Sequence, residues 1–270
     1  MKYDVIVPTR NSQRFLAKML SGVYREIPVC HLIVVDGYST DQTLEIVRRY
    51  PHVKVIQSKK SLGKCREIGI KEVDTEWFVF VDSDVVLNEK WLEKIKSYIQ
   101  PEVGTVEGLD LVMSPERGAM QLATERLKKL MKTAIAQRRA FTGDTLIRTA
   151  AVKGIEIPDN LQVYEDEFIK NYIESRGYNW VKTKEHLCRH YDFKPPKTAE
   201  LVAETACFVG SLSVRDYVFN LIKLFAKLLY AFYVTREWKI FPFQIKLHLY
   251  SLRGAIRGRI KRGAKNESIT

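Results

Sequence analysis

Residues 77–87 read WFVFVDSDVVL and place two carboxylates directly after an apolar run. The run Trp77–Val81 is typical of a parallel strand that is buried on both faces. Asp82 and Asp84 follow, and in an extended chain residues i and i+2 point the same way. The pattern therefore predicts two carboxylates that face one spot at the carboxyl edge of a sheet, where open α/β sheets bind ligands.

Two carboxylates held that close repel each other unless a cation or a proton joins them. A hard divalent metal bound to phosphate oxygens is the natural partner, because such ions prefer oxygen ligands. We therefore predict a metal held by Asp82 and Asp84. The alternative is a polar strand end followed by an ordinary turn.

The first hundred residues alternate between strand and helix patterns. Apolar runs occur at 5–7, 32–35, 53–56 and 78–81, with amphipathic helical stretches between them. This rhythm predicts an α/β fold with a doubly wound, Rossmann-like and mostly parallel sheet. After Gly108 the rhythm loosens, and the expected elements are a helical stretch at 114–139, a strand at 145–148, a helix at 165–176 and strands at 178–182 and 187–191.

The prolines Pro195 and Pro196 predict a domain boundary, because neither can continue regular structure. We expect one domain at 1–195, made of two halves at 1–110 and 111–195. A helical, basic region at 196–270 follows. The chain of 270 residues carries a net charge of +12, and residues 236–265 supply +8 of it through nine basic residues against one acid, Glu237. The basic character therefore belongs to the C-terminal region.

Composition also limits where the protein works. The four cysteines show no metal-ligand spacing, which favours free thiols in a reducing compartment. The chain enters a strand pattern at Tyr3, which leaves no room for a signal peptide. It contains no run of 18 apolar residues, so we predict no membrane-spanning helix. We expect a cytoplasmic protein.

Three motifs precede the DSD sequence. They are VIVPTRN at 5–11, VVDGYSTDQT at 34–43 and SLGKCREIGI at 61–70. Each lies at the carboxyl end of a predicted strand or at a helix N-terminus, where a nucleotide diphosphate would dock. The candidate nucleotide-binding residues are Pro8, Thr9, Arg10, Asn11, Asp36, Lys64, Arg66, Asp82 and Ser83.

Taken in this order, the motifs resemble those of the family 2 glycosyltransferases, a large inverting family with the nucleotide-sugar-binding GT-A fold. The family pattern runs VDDGSTDGT, then a glycine and ARN, then DxD. The sequence departs from it at several positions, among them Gly37 in place of the second Asp, Tyr38 in place of Gly and Glu67 in place of Asn. The residue that the resemblance places at the nucleobase is retained as Asp36.

Two later segments extend the resemblance to Tyr191. The resemblance therefore implies that residues 1–195 are a catalytic domain, with a nucleotide-binding half at 1–110 and an acceptor half at 111–195. FTGDTLIRTAAV at 141–152 is similar to the family segment beneath the donor sugar, which implies Gly143 and Asp144 there. VYEDEFIKNYIESRGY at 163–178 is similar to the segment that carries the general base, which implies Asp166. His190 is a candidate third metal ligand, as in some GT-A enzymes, although a single strand histidine is more often structural.

Several of these residues have simpler interpretations. Asp36 can cap a turn. Arg66 can be a solvated residue at a helix start, although a cation there opposes the helix dipole. Glu165, Asp166 and Glu167 can complement the dipole of a following helix.

The resemblance implies an inverting transfer of a sugar from a UDP- or GDP-sugar to an acceptor hydroxyl or phosphate. Mn2+ or Mg2+ would stabilise the leaving diphosphate, and Asp166 would accept the proton of the acceptor. One alternative is a haloacid-dehalogenase-type phosphatase. In such enzymes an apolar strand is followed by DxD, and the first aspartate, here Asp82, is the nucleophile. A nucleic-acid binder is a further alternative that leaves the carboxylates unexplained, so we expect no nucleic-acid partner.

The C-terminal region predicts amphipathic helices. Residues 216–234 are apolar apart from one stripe formed by Asp216, Asn220, Lys223 and Lys227. An apolar line at 245–260 is flanked by Lys246, Arg253, Arg257 and Lys261. An apolar face beside cations is typical of helices that lie on membrane surfaces, so we predict peripheral attachment to the cytosolic face and a lipid-linked acceptor. The alternative is that these helices pack on the protein itself.

Overall fold

A computed structural model describes residues 1–130, 139–159, 161, 163–191 and 196–267. The chain divides into two compact units. Unit 1 comprises residues 1–111 and 139–191, and unit 2 comprises residues 112–138 and 192–270. The expected boundary at residue 195 lies outside the described residues, so the division of the chain at that point stays a prediction.

Unit 1 is built on a sheet of eight strands. The strands are β1 (Tyr3–Thr9), β2 (Val29–Asp36), β3 (Val53–Gln57), β4 (Trp77–Val81), β5 (Val85–Leu87), β6 (Val103–Val112), β7 (Asp144–Arg148) and β8 (Asn179–His190). Their spatial order is β3-β2-β1-β4-β7-β6-β8-β5. The α/β fold is confirmed, and the predicted parallel strands form the block β3-β2-β1-β4.

The other half of the sheet differs from the expected mostly parallel arrangement. β7 runs antiparallel to β4 and to β6, and β5 runs antiparallel to β8, so the sheet is mixed. The two strands predicted at 178–182 and 187–191 are parts of the single strand β8. β5 and β6 were not expected from the sequence.

The helices of unit 1 cover both faces of the sheet. They are α1 (Gln13–Glu26), α2 (Thr43–Val47), α3 (Leu62–Lys71), α4 (Trp91–Lys96), α6 (Thr149–Val152) and α7 (Glu165–Ser175). Side chains of β4 alternate between two cores, since Val79 and Val81 join one cluster while Phe78 and Phe80 join the other. This alternation is what a strand buried on both faces requires.

The described residues of unit 2 form four helices. They are α5 (Pro115–Leu130), α8 (Pro196–Val209), α9 (Val214–Thr235) and α10 (Ile240–Glu267). Helices α8 and α10 pack closely through glycines of α10. A Cβ atom added at Gly254 or Gly258 would lie 2.0 or 2.1 Å from the carbonyl oxygens of Glu200 and Glu204. The last part of the helix predicted at 114–139 falls on residues 131–138, outside the described residues.

Candidate active site

Asp36 ties together the carboxyl ends of three parallel strands. The strand register places it beside Thr9 and Gln57. Its buried carboxylate accepts hydrogen bonds from Thr9 Oγ1 at 3.0 Å, from Gln57 Nε2 at 3.4 Å, and from the Ser39 backbone N and Oγ at 2.9 and 2.5 Å. Asp36 therefore organises the turn after β2, as the simpler interpretation expects, and its contact with a nucleobase stays a prediction.

The loop after β1 is bound to the loop after β2. Asn11 adopts φ +50 and donates its backbone N–H to Ser39 Oγ at 2.8 Å, while its side-chain oxygen accepts from the Thr40 backbone N at 2.8 Å. Non-glycine residues with positive φ are uncommon and concentrate at functional loops. The motif around Pro8–Asn11 and the motif around Asp36 thus form one rigid rim at the edge of the sheet.

A cavity of about 270 Å3 opens beside this rim. Three of the candidate nucleotide-binding residues, Pro8, Thr9 and Arg10, line it, together with Lys59 and Lys60, which were not candidates in the sequence analysis. Lys59 and Lys60 follow β3, so the parallel topology carries them to the same edge as the predicted residues.

Tyr38 stands where the family pattern has glycine. Its φ is +58, which explains why glycine suits that position, and its ring is 47% exposed. Lys59 Nζ lies 5.0 Å from the centre of that ring. Tyr38 is a departure that retains the backbone conformation of the motif while adding an exposed aromatic ring.

Arg66 is the buried centre of an ionic cluster. Ser61 caps α3 and places Arg66 inside the protein, where its side chain is 1% exposed. Arg66 Nη2 donates to Asp82 Oδ1 at 2.8 Å and lies 3.9 Å from Asp166 Oδ1, while its Nε lies 3.8 Å from Glu165 Oε1. The interpretation of Arg66 as a solvated residue is therefore wrong.

The charges around Arg66 are not fully satisfied. Its Nε and Nη1 atoms and Glu165 Oε2 are buried and make no hydrogen bond within the described part of the chain. Burial, together with the charge of neighbouring Asp166, raises the pKa of Glu165 to about 7. Buried polar groups without partners are expensive, and they concentrate where a protein binds ligands or performs chemistry.

Asp166 lies in the first turn of α7 with both carboxylate oxygens engaged. Thr142 Oγ1 donates to one oxygen, and Arg139 Nη2 donates to the other at 3.1 Å. The side chain is nearly buried and shares its turn with Glu165 and Glu167. Both interpretations of the acidic turn therefore remain compatible with its position, since these acids can stabilise the helix dipole while Asp166 faces the Arg66 cluster.

The two aspartates of the DSD motif have different partners, contrary to the expectation that they face one spot. The chain turns after β4, where the Val85 backbone N donates to the Asp82 carbonyl at 3.0 Å, so the rule for extended chains does not apply. Asp82 contacts Arg66, whereas Asp84 Oδ2 lies 3.6 Å from His190 Nε2. Ser83 Oγ is 2.9 Å from Ser12 Oγ, which fixes the turn between them.

His190 is held in place through its Nδ1 atom, while its Nε2 atom makes no hydrogen bond within the described residues. It ends β8 opposite Val85, and its Nδ1 lies 3.3 Å from Asp110 Oδ2. Its Nε2 is buried and has no hydrogen-bond partner in the described part of the chain. An imidazole nitrogen that lies 3.6 Å from a carboxylate without a hydrogen bond, with the other nitrogen oriented by a second carboxylate, is a donor set that fits a divalent metal.

Gly143 supports His190 through an aromatic ring. The Phe141 ring stacks on His190 with centroids 5.2 Å apart. A Cβ atom on Gly143 would lie 2.0 Å from the Phe141 ring, so a side chain at that position would displace it. The Gly143 carbonyl also accepts from the Asp82 backbone N at 3.0 Å. The predicted contact of Gly143 with a donor sugar stays a prediction.

Two residues predicted to bind the donor interact with other side chains in this structure. Lys64 Nζ donates to Glu67 Oε2 at 2.7 Å. Asp144 is fully buried and accepts from Trp91 Nε1 at 3.3 Å, and burial raises the pKa of its carboxyl group well above the usual range. The roles proposed for these residues in donor binding also stay predictions.

Comparison with known proteins agrees with the motif order. Residues 4–108 match the model of the family described as Glycosyl transferase family 2. The chain is 29% identical over 199 residues to the Staphylococcus aureus poly(ribitol-phosphate) beta-N-acetylglucosaminyltransferase TarS, covering 68% of this chain and 35% of TarS. TarP, a poly(ribitol-phosphate) beta-N-acetylglucosaminyltransferase of the same species, is 33% identical over 106 residues, covering 36% of this chain and 32% of TarP. The chain thus spans about a third of the length of these relatives.

Solved structures share the fold. A crystal structure of S. aureus TarS in complex with UDP-GlcNAc has a TM-score of 0.56 and 18% identity, covering 99% of this chain and 92% of that one. The mannosyltransferase PcManGT from Pyrobaculum calidifontis, in complex with GDP-Man and Mn2+, has a TM-score of 0.64 and 15% identity, covering 95% and 86%. The family model matched by residues 4–108, the relatives and the shared fold agree in supporting a family 2 glycosyltransferase.

Proposed function

We propose that the protein transfers a sugar from a nucleoside-diphosphate sugar to an acceptor hydroxyl or phosphate, with inversion at the anomeric carbon. The observation that carries this proposal is the close approach of His190 Nε2 to Asp84 on one side of the DSD turn, with Asp166 and Arg66 on the other side. One turn thereby separates a site for a metal from a candidate base. The phosphatase alternative finds no support among the relatives described above.

Asp84 and His190 would hold the metal, with Asp82 as a further ligand if its contact with Arg66 opens. The metal would stabilise negative charge on the departing diphosphate. An imidazole ligand favours Mn2+ over Mg2+, because Mg2+ binds oxygen ligands almost exclusively. PcManGT was crystallised with Mn2+, which supports the same choice.

The rest of the donor would lie along the rim described above. The nucleoside fits the cavity lined by Pro8, Thr9 and Arg10, where Lys59 adds positive charge and Tyr38 offers an exposed ring for stacking. The nucleotide is UDP or GDP, since both occur in the structural neighbours.

Asp166 would accept the proton of the acceptor as the sugar is transferred. Thr142 and Arg139 hold its carboxylate in position, as a general base requires. Release of one of these two hydrogen bonds by the incoming hydroxyl would free an oxygen for the proton.

The acceptor is proposed to be lipid-linked, and the protein to work at the cytosolic face of a membrane. Helix α9 is, among the described helices, the one long and apolar enough to cross a membrane, with 17% of its apolar window buried. Core helices of soluble proteins pass the same test. Six apolar side chains of α9 are 42–70% exposed, namely Val218, Phe219, Ile222, Phe225, Leu229 and Tyr233. An exposed apolar face of this size, with Lys223 beside it, suits a lipid surface.

Manganese binding and sugar transfer test the proposal together. We expect Asp84→Ala to abolish Mn2+ binding, which electron paramagnetic resonance measures in the presence of UDP. We also expect it to abolish sugar transfer, which is measured by NMR of the anomeric proton. Glu93→Ala removes an exposed carboxylate from α4 and serves as the matched control. Full Mn2+ binding and turnover in Asp84→Ala would overturn the assignment. Trapping of a phosphoryl group on Asp82 would favour a phosphatase instead.

A further inference from the structure

The cations of unit 2 fall into two groups. Arg253 and Arg257 lie 3.4 and 2.6 Å from Glu200 Oε1, and Lys261 lies 2.5 Å from Glu204 Oε1. These cations are neutralised within unit 2, so most of the basic flank expected to meet lipid is already paired. Within the described part of the chain, no carboxylate pairs with Arg215, Arg259 or Arg262.

Those three arginines surround one cavity. It has a volume of about 740 Å3, and its walls are the turn between α8 and α9, the start of α9 and the late part of α10. Among the described residues that line it, Asp216 is the one acid. Its carboxylate is occupied by the N-terminal cap of α9, where it accepts from the Ser213 backbone N and Oγ at 2.7 Å each. The cavity therefore has an excess of positive charge.

Close packing of backbone positions the arginines. Gly258 lies against the Glu204 carbonyl of α8, which fixes the neighbouring Arg259 relative to that helix. Gly210, in the turn after α8, has φ +81, and a Cβ atom there would lie 2.2 Å from Arg262 Nη1. The Arg262 guanidinium thus rests directly on the turn that forms the opposite wall. Preorganised guanidinium groups suit bidentate contacts with phosphate.

The edge of the cavity is apolar. Leu212 lines it and is 42% exposed, and Val209, next to Gly210, is 52% exposed. A cationic cavity with an apolar rim matches an amphiphile whose phosphate enters the cavity and whose hydrocarbon remains outside. A free phosphate would use the arginines and leave the rim exposed.

We propose that the cavity formed by Arg215, Arg259 and Arg262 binds the phosphate monoester of a phospholipid headgroup. The site goes beyond the proposed sugar transfer and does not depend on it, because it contains none of the residues assigned to that reaction. The proposed site differs from general attraction to a charged membrane. It would distinguish the phosphate monoester of phosphatidic acid from the carboxylate of phosphatidylserine at equal surface charge.

The test compares vesicle binding of the full-length chain at matched surface charge. Vesicles contain phosphatidylcholine with either phosphatidic acid or phosphatidylserine, and binding is measured by co-sedimentation. We expect the wild type to prefer phosphatidic acid, and Arg259→Gln combined with Arg262→Gln to lose that preference with a fall in affinity of at least about tenfold. Lys239→Gln combined with Lys246→Gln removes the same charge from exposed positions outside the cavity, and this control should retain the preference.

Three results would overturn the proposal. Equal binding of the wild type to both anionic vesicles would reduce the effect to surface charge, and an unchanged preference in the double variant would place the phosphate elsewhere. Stabilisation of the wild type against heat by inorganic phosphate or glycerol 3-phosphate, without any preference among vesicles, would identify a soluble ligand. If the double variant unfolds, Arg262→Lys keeps the charge but removes the bidentate fork, and it should weaken the preference while the melting temperature is retained.

Discussion

The two units place their charges in opposite ways. Unit 1 buries Arg66 among Asp82, Glu165 and Asp166, in a region where apolar side chains are covered on both faces of the sheet. In unit 2, Arg257 pairs with Glu200 while remaining 49% exposed, and a large apolar face of α9 is uncovered. Unit 1 therefore buries groups that prefer water, and unit 2 exposes groups that avoid it.

This difference separates two kinds of functional signal. Removing charges from water costs several kcal/mol per ion unless partners compensate, so a buried cluster with unpaired atoms is retained for more than stability. An exposed apolar face indicates a surface that binds another molecule or a membrane. The chemistry is accordingly expected in unit 1 and attachment in unit 2, and the following predictions test each half of that contrast.

The largest expected effect is from removing the buried cation. Arg66→Met keeps most of the volume but leaves three carboxylates around an apolar side chain, so we expect a loss of about 3–5 kcal/mol in the free energy of unfolding. Urea denaturation measures it. Arg49→Met removes an exposed cation from a weak surface pair and should change stability by less than about 0.5 kcal/mol. A loss below about 1 kcal/mol in Arg66→Met would contradict the view that the cluster depends on this guanidinium.

The next effect concerns catalysis. Asp166→Asn retains size and polarity but cannot accept a proton, so transfer should fall by at least about a hundredfold while nucleotide affinity stays near the wild-type value. Steady-state kinetics and calorimetric titration with UDP give the two quantities. Asp74→Asn changes an exposed acid in the same way, away from the proposed site, and should leave both unaltered. Normal turnover in Asp166→Asn would move the base to Glu165 or Glu167.

The fold could be predicted where the hydrophobic pattern is simple. β4 was recognised because five consecutive apolar residues can satisfy both faces of a sheet. β6 was missed because Gly104 and Gly108 interrupt its pattern. The structure needs both glycines, since a Cβ atom would lie 2.6 Å from Tyr178 Cβ at the first and 1.8 Å from Asp144 Oδ2 at the second. Strand propensity cannot reveal a requirement imposed by neighbours distant in sequence.

The sequence named the candidate residues of the site but could not give their geometry. The DSD motif offered Asp82 and Asp84 and the family resemblance added His190 as candidate metal ligands, whereas the divergence of the two aspartates depends on a turn that the rule for extended chains ignores. Asp110 was missed because it belongs to no motif, although it orients His190. Lys59 and Lys60 required the parallel strand order before their position could be known.

Unit 2 should be sensitive to a single methyl group. In Gly258→Ala the new Cβ would meet the Glu204 carbonyl at 2.1 Å, so α8 and α10 must separate, and we expect a loss of about 1–3 kcal/mol. Gly263→Ala makes the same change on α10, where no atom lies within 4 Å, and should be neutral or slightly stabilising. Hydrogen exchange of α8 and α10 would report the difference. Equal protection in both variants would show that these helices do not rely on the close contact.

The smallest expected effect follows from another buried charge in unit 1. Glu107 accepts from Trp180 Nε1 at 2.7 Å and lies 3.0 Å from Lys182 Nζ. Burial raises the pKa of Glu107 from 4.5 to about 7, with Lys182 opposing the shift. The folded protein thus binds this proton more tightly than the unfolded chain does. Below pH 4.5 Glu107 is protonated in both the folded and the unfolded state. Between pH 4.5 and 7 the free energy of unfolding falls as pH rises, and above pH 7 the full cost of the buried charge is reached.

Glu107→Gln removes that cost while keeping an oxygen for Trp180. The pKa shift sets an upper limit of about 3 kcal/mol, and because the variant also loses the Lys182 pair, we expect a net gain of about 1 kcal/mol at pH 8 and none at pH 4.5. Thermal unfolding from pH 4 to 8 measures this, with Glu185→Gln as the control because its carboxylate is 53% exposed. A gain that is independent of pH would show that Gln improves packing. A loss at pH 8 would show that the pair with Lys182 outweighs the burial of Glu107, and the contrast between the units would then rest on the Arg66 cluster alone.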